Sequence, residues 1–222
     1  MCTNYRPSSR ETIRDTFGVD VAFEYPGESW GGYTAPIVRQ HEDRLVVEPA
    51  RFGLIPPWCP DEENVNRLTR GTLNARRETI AEKPSFRDAW RKGQFCLIPM
   101  NRFYEPCYES GRAERWSVSL SSETDFCVAA IWSQWGLRQT GSNTTSFAMV
   151  TLNADGHTAL KRLHKPHDEK RSIYVVERRH YSQWLNATPE EAQDMMCLMP
   201  PESYVLQPAL PVKSAPRTGD LF

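Results

Sequence analysis

QFCLIPMNRFYEP, residues 94–106, is the stretch from which the rest of the chain can be read. QFCLIP reads as a strand, and the continuation IPMNRFYEP places Glu105 at the end of an apolar strand. The same signal recurs on both sides: RLVVEP (44–49) upstream, then RWSVSL (115–120), DFCVAAIW (125–132), SFAMVTL (146–152) and SIYVV (172–176), all rich in β-branched or aromatic residues. Helical segments are few and scattered. SSRETIRDTFG (8–18) pairs Ser8 with Glu11 in a capping-box pattern and closes at Gly18. PSFRDAWRKG (84–93) opens at Pro84 and stops at Gly93, ADGHTALKRLH (154–164) spaces Leu160 and Leu163 helically, and TPEEAQDMM (188–196) puts Thr188 at a cap with Pro189 in the first turn. This pattern predicts an α+β fold: a single domain built on a curved or barrel-like, mainly antiparallel β-sheet with peripheral helices. No linker divides residues 1–222; the core runs from about 2 to 212, and the proline-rich tail, above all 213–222, reads as irregular.

Composition excludes several classes. With 39% hydrophobic and 25% charged residues the chain has the balance of a soluble globular protein. No apolar run approaches the roughly 18 residues of a membrane span, and the N-terminus lacks a signal-peptide layout, so a cytoplasmic protein without membrane association is expected. The six cysteines (2, 59, 96, 107, 127, 197) include no C-x-x-C pair, and are expected as reduced thiols without a structural zinc site. His164 and His167 form the single close histidine pair, a weak metal signal. Phosphate-loop, dinucleotide and nucleophile-elbow motifs are missing, which disfavours a nucleotide cofactor or an α/β-hydrolase; neither metal nor cofactor is expected, and the chain is expected to act as a monomer.

A net charge of −1 argues against a protein coated in basic residues for duplex binding. Charge is nevertheless uneven: residues 67–92 hold eight Lys/Arg against three acidic residues, and 161–180 hold seven against three. Such runs are most often solvated faces; two of them can also form a groove for a phosphate backbone.

The chain opens MCTNYRP, with Cys2 directly behind Met1. A cysteine near a frayed terminus means little by itself. Loss of Met1 would, however, leave a free α-amine and a thiol on adjacent carbons, a 1,2-aminothiol that no internal cysteine can offer.

The Met-Cys start, YTAP (33–36), FGLIPPW (52–58), NAR-x-E (74–78), FYE (103–105) and the helical segment leading to His164 occur together and in order. In this the chain resembles, from Cys2 to about Val212, the SRAP family: proteins once labelled SOS-response-associated peptidases and now understood to crosslink to abasic DNA. The resemblance implies covalent capture of abasic sites in single-stranded DNA through Cys2 once Met1 is removed, giving a thiazolidine crosslink that shields the lesion in the DNA damage response. It also implies roles. Glu105 matches the glutamate that moves protons beside the cysteine amine, His164 the histidine that assists sugar-ring opening and crosslink reversal, and Asn74 the asparagine that holds the reacting groups. Arg76 matches an arginine on DNA phosphate, with Arg77 and Arg171 as further phosphate contacts, Glu78 orienting an arginine, and Trp58 stacking beside the lesion.

Two departures qualify the match. Thr3-Asn4 stand where the family commonly has Gly-Arg, leaving Arg6 as the compensating cation, and KPHDE intervenes before Lys170-Arg171, which makes His167 a rival to His164. Two other readings remain: a thiol-dependent peptidase acting through the same Cys2, Glu105 and His164, and a non-covalent binder of single-stranded DNA that uses the two basic runs and exposed aromatics.

Overall fold

The computed structural model describes residues 2–136 and 143–210; the tail expected to be irregular, 213–222, lies outside them. In chain order the elements are β1 (Asn4–Pro7), α1 (Arg10–Phe17), β2 (Ser29–Trp30), β3 (Thr34–His41), β4 (Arg44–Phe52), α2 (Glu62–Thr69), β5 (Asn74–Arg76), α3 (Arg87–Arg91), β6 (Phe95–Cys107) and β7 (Glu114–Leu120). There follow β8 (Phe126–Gly136), β9 (Asn143–Asn153), β10 (Arg171–Ile173), β11 (Val175–Val176), α4 (Tyr181–Asn186), α5 (Pro189–Met195) and β12 (Tyr204–Pro208).

Five strands close on themselves. β3 pairs β4, β8 pairs β9, β6 pairs β8 and β3 pairs β6, all antiparallel, while β4 joins β9 in parallel at Phe52 and Phe147. The result is a closed mixed barrel, with the remaining strands laid along its rims and helices outside it. Both faces of its wall are buried, which is why the strands read as nearly continuous apolar runs. On β6, Cys96, Ile98 and Met100 face the barrel interior, whereas Phe95 and Leu97 pack outward with Trp90 of α3 and Trp184 of α4. β8 and β9 alternate in the same way, with Val128, Ala130 and Met149 inside and Ala129, Ile131 and Ala148 outside.

One irregularity in β6 positions the site. β1 pairs Arg6 with Arg102 but Pro7 with Met100, so Asn101 is an extra residue in the ladder. A β-bulge of this kind reverses which residues face inward. Before it the even-numbered residues point to the interior; after it Phe103 and Cys107 do, and Glu105 between them is carried to the same buried side.

Several local expectations need correction. The cap of α1 is Ser9, whose hydroxyl accepts from the Thr12 N–H at 3.1 Å, while Ser8 is buried and donates its N–H to the Pro99 carbonyl. The helical reading of 154–164 reduces to a 3-10 turn at Leu160–Arg162, because the His157 ring accepts from the Leu160 N–H and tightens the turn. SIYVV is two short strands on different partners, β10 on β9 and β11 on β8. Thr188 caps α5 with Pro189 in its first turn as expected, Glu191 completing a capping box, and Gly18 closes α1 as expected, in a left-handed conformation. No described helix is long and apolar enough to cross a membrane.

Candidate active site

The N-terminal segment enters the barrel mouth through Tyr5, whose buried ring meets Phe52 edge-on at 5.6 Å. Ahead of it Cys2 is 1% exposed. Hydrogen bonds fix each residue in turn: Asn74 Nδ2 donates to the Cys2 carbonyl at 2.8 Å, the Gly31 N–H to the Thr3 carbonyl at 3.2 Å, and Asn4 Nδ2 to the Ser29 carbonyl at 3.1 Å. Arg115, stacked 3.5 Å over the Tyr104 ring, donates to Asn4 Oδ1 at 2.6 Å and is ion-paired with Glu28. Neither Arg115 nor Tyr104 was singled out by the sequence, since their meeting depends on the register of β6 with β7.

Asn74 owes its place to β5, which runs parallel to β9 and aligns Asn74 with Met149. Ala75 turns into the outer layer, so by strand alternation Asn74 and Arg76 share the opposite face. The Asn74 amide oxygen is buried and has no hydrogen-bond partner among the described residues.

Glu105 is 3% exposed, and its Oε2 lies 3.5 Å from Nδ1 of His164. Burial raises the Glu105 carboxyl to about 7 and lowers the His164 imidazole to about 4. His164 is therefore neutral at neutral pH. Its Nε2 lies 2.9 Å from the Arg171 carbonyl, which can only accept, so the ring proton belongs on Nε2 and the Nδ1 lone pair faces Glu105. A protonated Glu105 complements that lone pair, and a carboxyl poised near pH 7 can give or take a proton without a large penalty.

His164 adopts a left-handed backbone, φ +65°, unusual for a residue with a Cβ. It is held there by its N–H on the Pro106 carbonyl at 2.7 Å and by Lys170 Nζ, which donates to its carbonyl at 3.3 Å and to that of Lys165. His167 is exposed. The histidine beside Glu105 is His164.

Burial, and then the charge of Glu105, push the Cys2 thiol far above its ordinary range. This thiol is not a ready thiolate.

The expected DNA-facing residues divide. Trp58 is 49% exposed, with its indole N–H on the Pro84 carbonyl at 3.2 Å; Arg76 and Arg6 are also exposed. Arg77 instead anchors α5, donating to the Gln193 carbonyl at 3.0 Å. Arg171, expected on phosphate, is buried: its guanidinium meets Glu78 at 2.8 Å, Glu169 at 2.6 Å and the Thr151 carbonyl at 2.9 Å. β10 pairing on β9 draws it inward, where it braces the strand that holds His164. Glu78 does orient an arginine, and that arginine is Arg171.

Comparison with known proteins agrees with this architecture. The family model described as SOS response associated peptidase (SRAP) matches residues 1–215. A crystal structure of a Bordetella bronchiseptica protein superposes with a TM-score of 0.87 at 27% identity, covering 94% of this chain and 100% of that one. A Bacteroides thetaiotaomicron protein shares the fold, with a TM-score of 0.79 at 22% identity over 92% of this chain and 90% of that one. The abasic site processing protein YoaM of Bacillus subtilis is 28% identical over 150 residues, 66% of this chain and 60% of YoaM. The mouse abasic site processing protein HMCES is 40% identical over 63 residues, 28% of this chain and 17% of HMCES. The matched part thus spans under two thirds of the length of these curated relatives. With the family model covering nearly its whole length, the chain belongs to the SRAP family.

Proposed function

We propose that this protein captures abasic sites in single-stranded DNA covalently through Cys2, after loss of Met1. The observation that carries the reading is a chain of buried contacts: Asn74 grips the Cys2 carbonyl, the Glu105 carboxyl lies close enough for its charge to act on the Cys2 thiol, and a neutral His164 stands 3.5 Å from Glu105. The names of the matched relatives, abasic site processing proteins, point to the same substrate.

The chemistry follows from the groups. A free α-amine, with a reference pKa of about 7.7–8.0, is partly unprotonated near neutral pH and attacks the aldehyde of the opened abasic sugar. Glu105 relays protons as the carbinolamine forms and loses water to give an imine. The Cys2 thiol then adds across the C=N bond, its sulfur to carbon and its proton to nitrogen, closing a five-membered thiazolidine. One water leaves in all. Sulfur acts second, which suits a thiol that burial keeps protonated, and ring closure within one residue gains from high effective molarity. That protonation state gives no support to a thiolate peptidase.

Intact-mass spectrometry tests the reading, on protein incubated with single-stranded DNA carrying one abasic site, alongside Cys2→Ala and a form that retains Met1. A gain of the DNA mass less one water in the processed protein alone is the expected result. Absence of an adduct from folded protein lacking Met1 rejects covalent capture, and equal protection of the lesion by Cys2→Ala would favour the non-covalent binder.

A further inference from the structure

Arg76 shares its β5 face with Asn74 and points to solvent, yet its guanidinium is engaged: Nη1 donates to Oε2 of Glu169 at 2.8 Å. Glu169 lies in the KPHDE insertion between His164 and Lys170. Its second oxygen accepts from Arg171 at 2.6 Å and from Asn153 Nδ2 at 3.3 Å, and Asn153 is held in turn by Asp155 at 2.8 Å. Lys170 donates its backbone N–H to Asp155 at 2.8 Å, fixing the end of the insertion. The carboxylate is therefore fastened from behind by a buried arginine, and offers its outer oxygen to an exposed one.

We infer that Glu169 is a built-in competitor for phosphate at Arg76, so that a DNA backbone must displace a resident carboxylate to reach this guanidinium. The inference rests on the proposed DNA reading of the Arg76 face and adds a specificity-determining residue to it. A carboxylate and a phosphate oxygen ask for the same fork of N–H donors. Arg76 and Glu169 are 47% and 37% exposed, so the contact is one that an incoming anion can replace at small cost. Glu169 keeps Arg171 when Arg76 leaves, and the buried network stays satisfied. The local balance of two arginines against Glu169 and Glu78 makes the patch neutral, whatever the basic excess of the surrounding sequence. The consequence is a modest discrimination: a weakly held strand gains little at Arg76, whereas a strand already held elsewhere displaces the carboxylate and takes the contact.

The test uses the full chain and a fluorescent single-stranded oligonucleotide whose abasic sugar is replaced by tetrahydrofuran. That analogue has no aldehyde, so anisotropy reads binding alone. Glu169→Gln should tighten binding about three- to fivefold at low salt, with the gain shrinking as salt is raised. Arg76→Met should weaken binding, and adding Glu169→Gln to it should recover nothing. Unchanged or weaker binding by Glu169→Gln, with Arg76→Met still weakening, overturns the inference and leaves the DNA reading intact. An Arg76→Met protein that binds as the parent does overturns it too, since there is then nothing to compete for. Should the glutamine variant fail to fold, Glu169→Asp, whose shorter arm withdraws from Arg76, takes its place: tighter binding supports competition and no tightening rejects it. Failure of the proposed capture itself shows separately, as a missing adduct on aldehyde-bearing DNA.

Discussion

Glu105 and His164 make opposite demands on the folded state. Glu105 holds its proton up to about pH 7 in the fold against 4.5 outside it, so the stability it confers at low pH is lost as pH rises through that window. His164 stays neutral down to about pH 4 against 6.5 outside, so its contribution is lost as pH falls through that window. Each limb amounts to roughly 3 kcal/mol, and between pH 4.5 and 6.5 they oppose. In urea denaturation across this range, Glu105→Gln should show stability rising with pH relative to the parent, and His164→Asn, which tolerates the left-handed backbone, stability falling with pH. Identical slopes in all three proteins would refute the pairing. Asn74→Asp removes the donor to the Cys2 carbonyl without changing shape. Single-turnover crosslinking to abasic DNA should slow about 10- to 100-fold, with the adduct mass unchanged. The residues of this group were legible because short motifs mark them; what the motifs could not convey is which arginines stay outside, since only the pairing of β10 buries Arg171.

At the scale of elements, the bulge at Asn101 decides the site and no sequence rule foretold it. A strict two-residue period from Cys96 would have sent Glu105 to the outer layer. The apolar strands themselves were readable from composition. The helices α2 and α4 were not, because α2 is polar and begins at an ordinary Asp61 cap, while α4 follows a charged turn that hides its Tyr181, Trp184 and Leu185 face. The FGLIPPW segment carrying Trp58 turns at Gly53, where φ is +114° and an added Cβ would stand 2.8 Å from the Thr69 Cβ. Gly53→Ala should therefore destabilise the protein by about 1–3 kcal/mol, read by thermal denaturation, and should loosen the Trp58 turn. No loss of stability would mean that the turn relaxes freely.

For the molecule as a whole, stability comes from a wall buried on both faces. Trp184, fully buried, donates its indole N–H to the Cys96 carbonyl at 3.0 Å and touches the rings of Phe95 and Tyr174. Trp184→Ala should cost about 3–5 kcal/mol in chemical denaturation while sparing every group at the barrel mouth; a cost below about 1 kcal/mol would contradict the two-sided core. The hydrogen bond from Asn74 to Cys2 bridges 72 positions of sequence, and His164 is contributed from far later in the chain. Synthesis delivers Cys2 first and its companions much later, and pairings of such long range close slowly. On the proposed capture chemistry, a nascent or truncated chain freed of Met1 would expose an aminothiol with no more reactivity than a free cysteine, and full reactivity toward aldehydes would arrive only when the barrel shuts, a safeguard against indiscriminate reaction with the small carbonyl compounds of a cell.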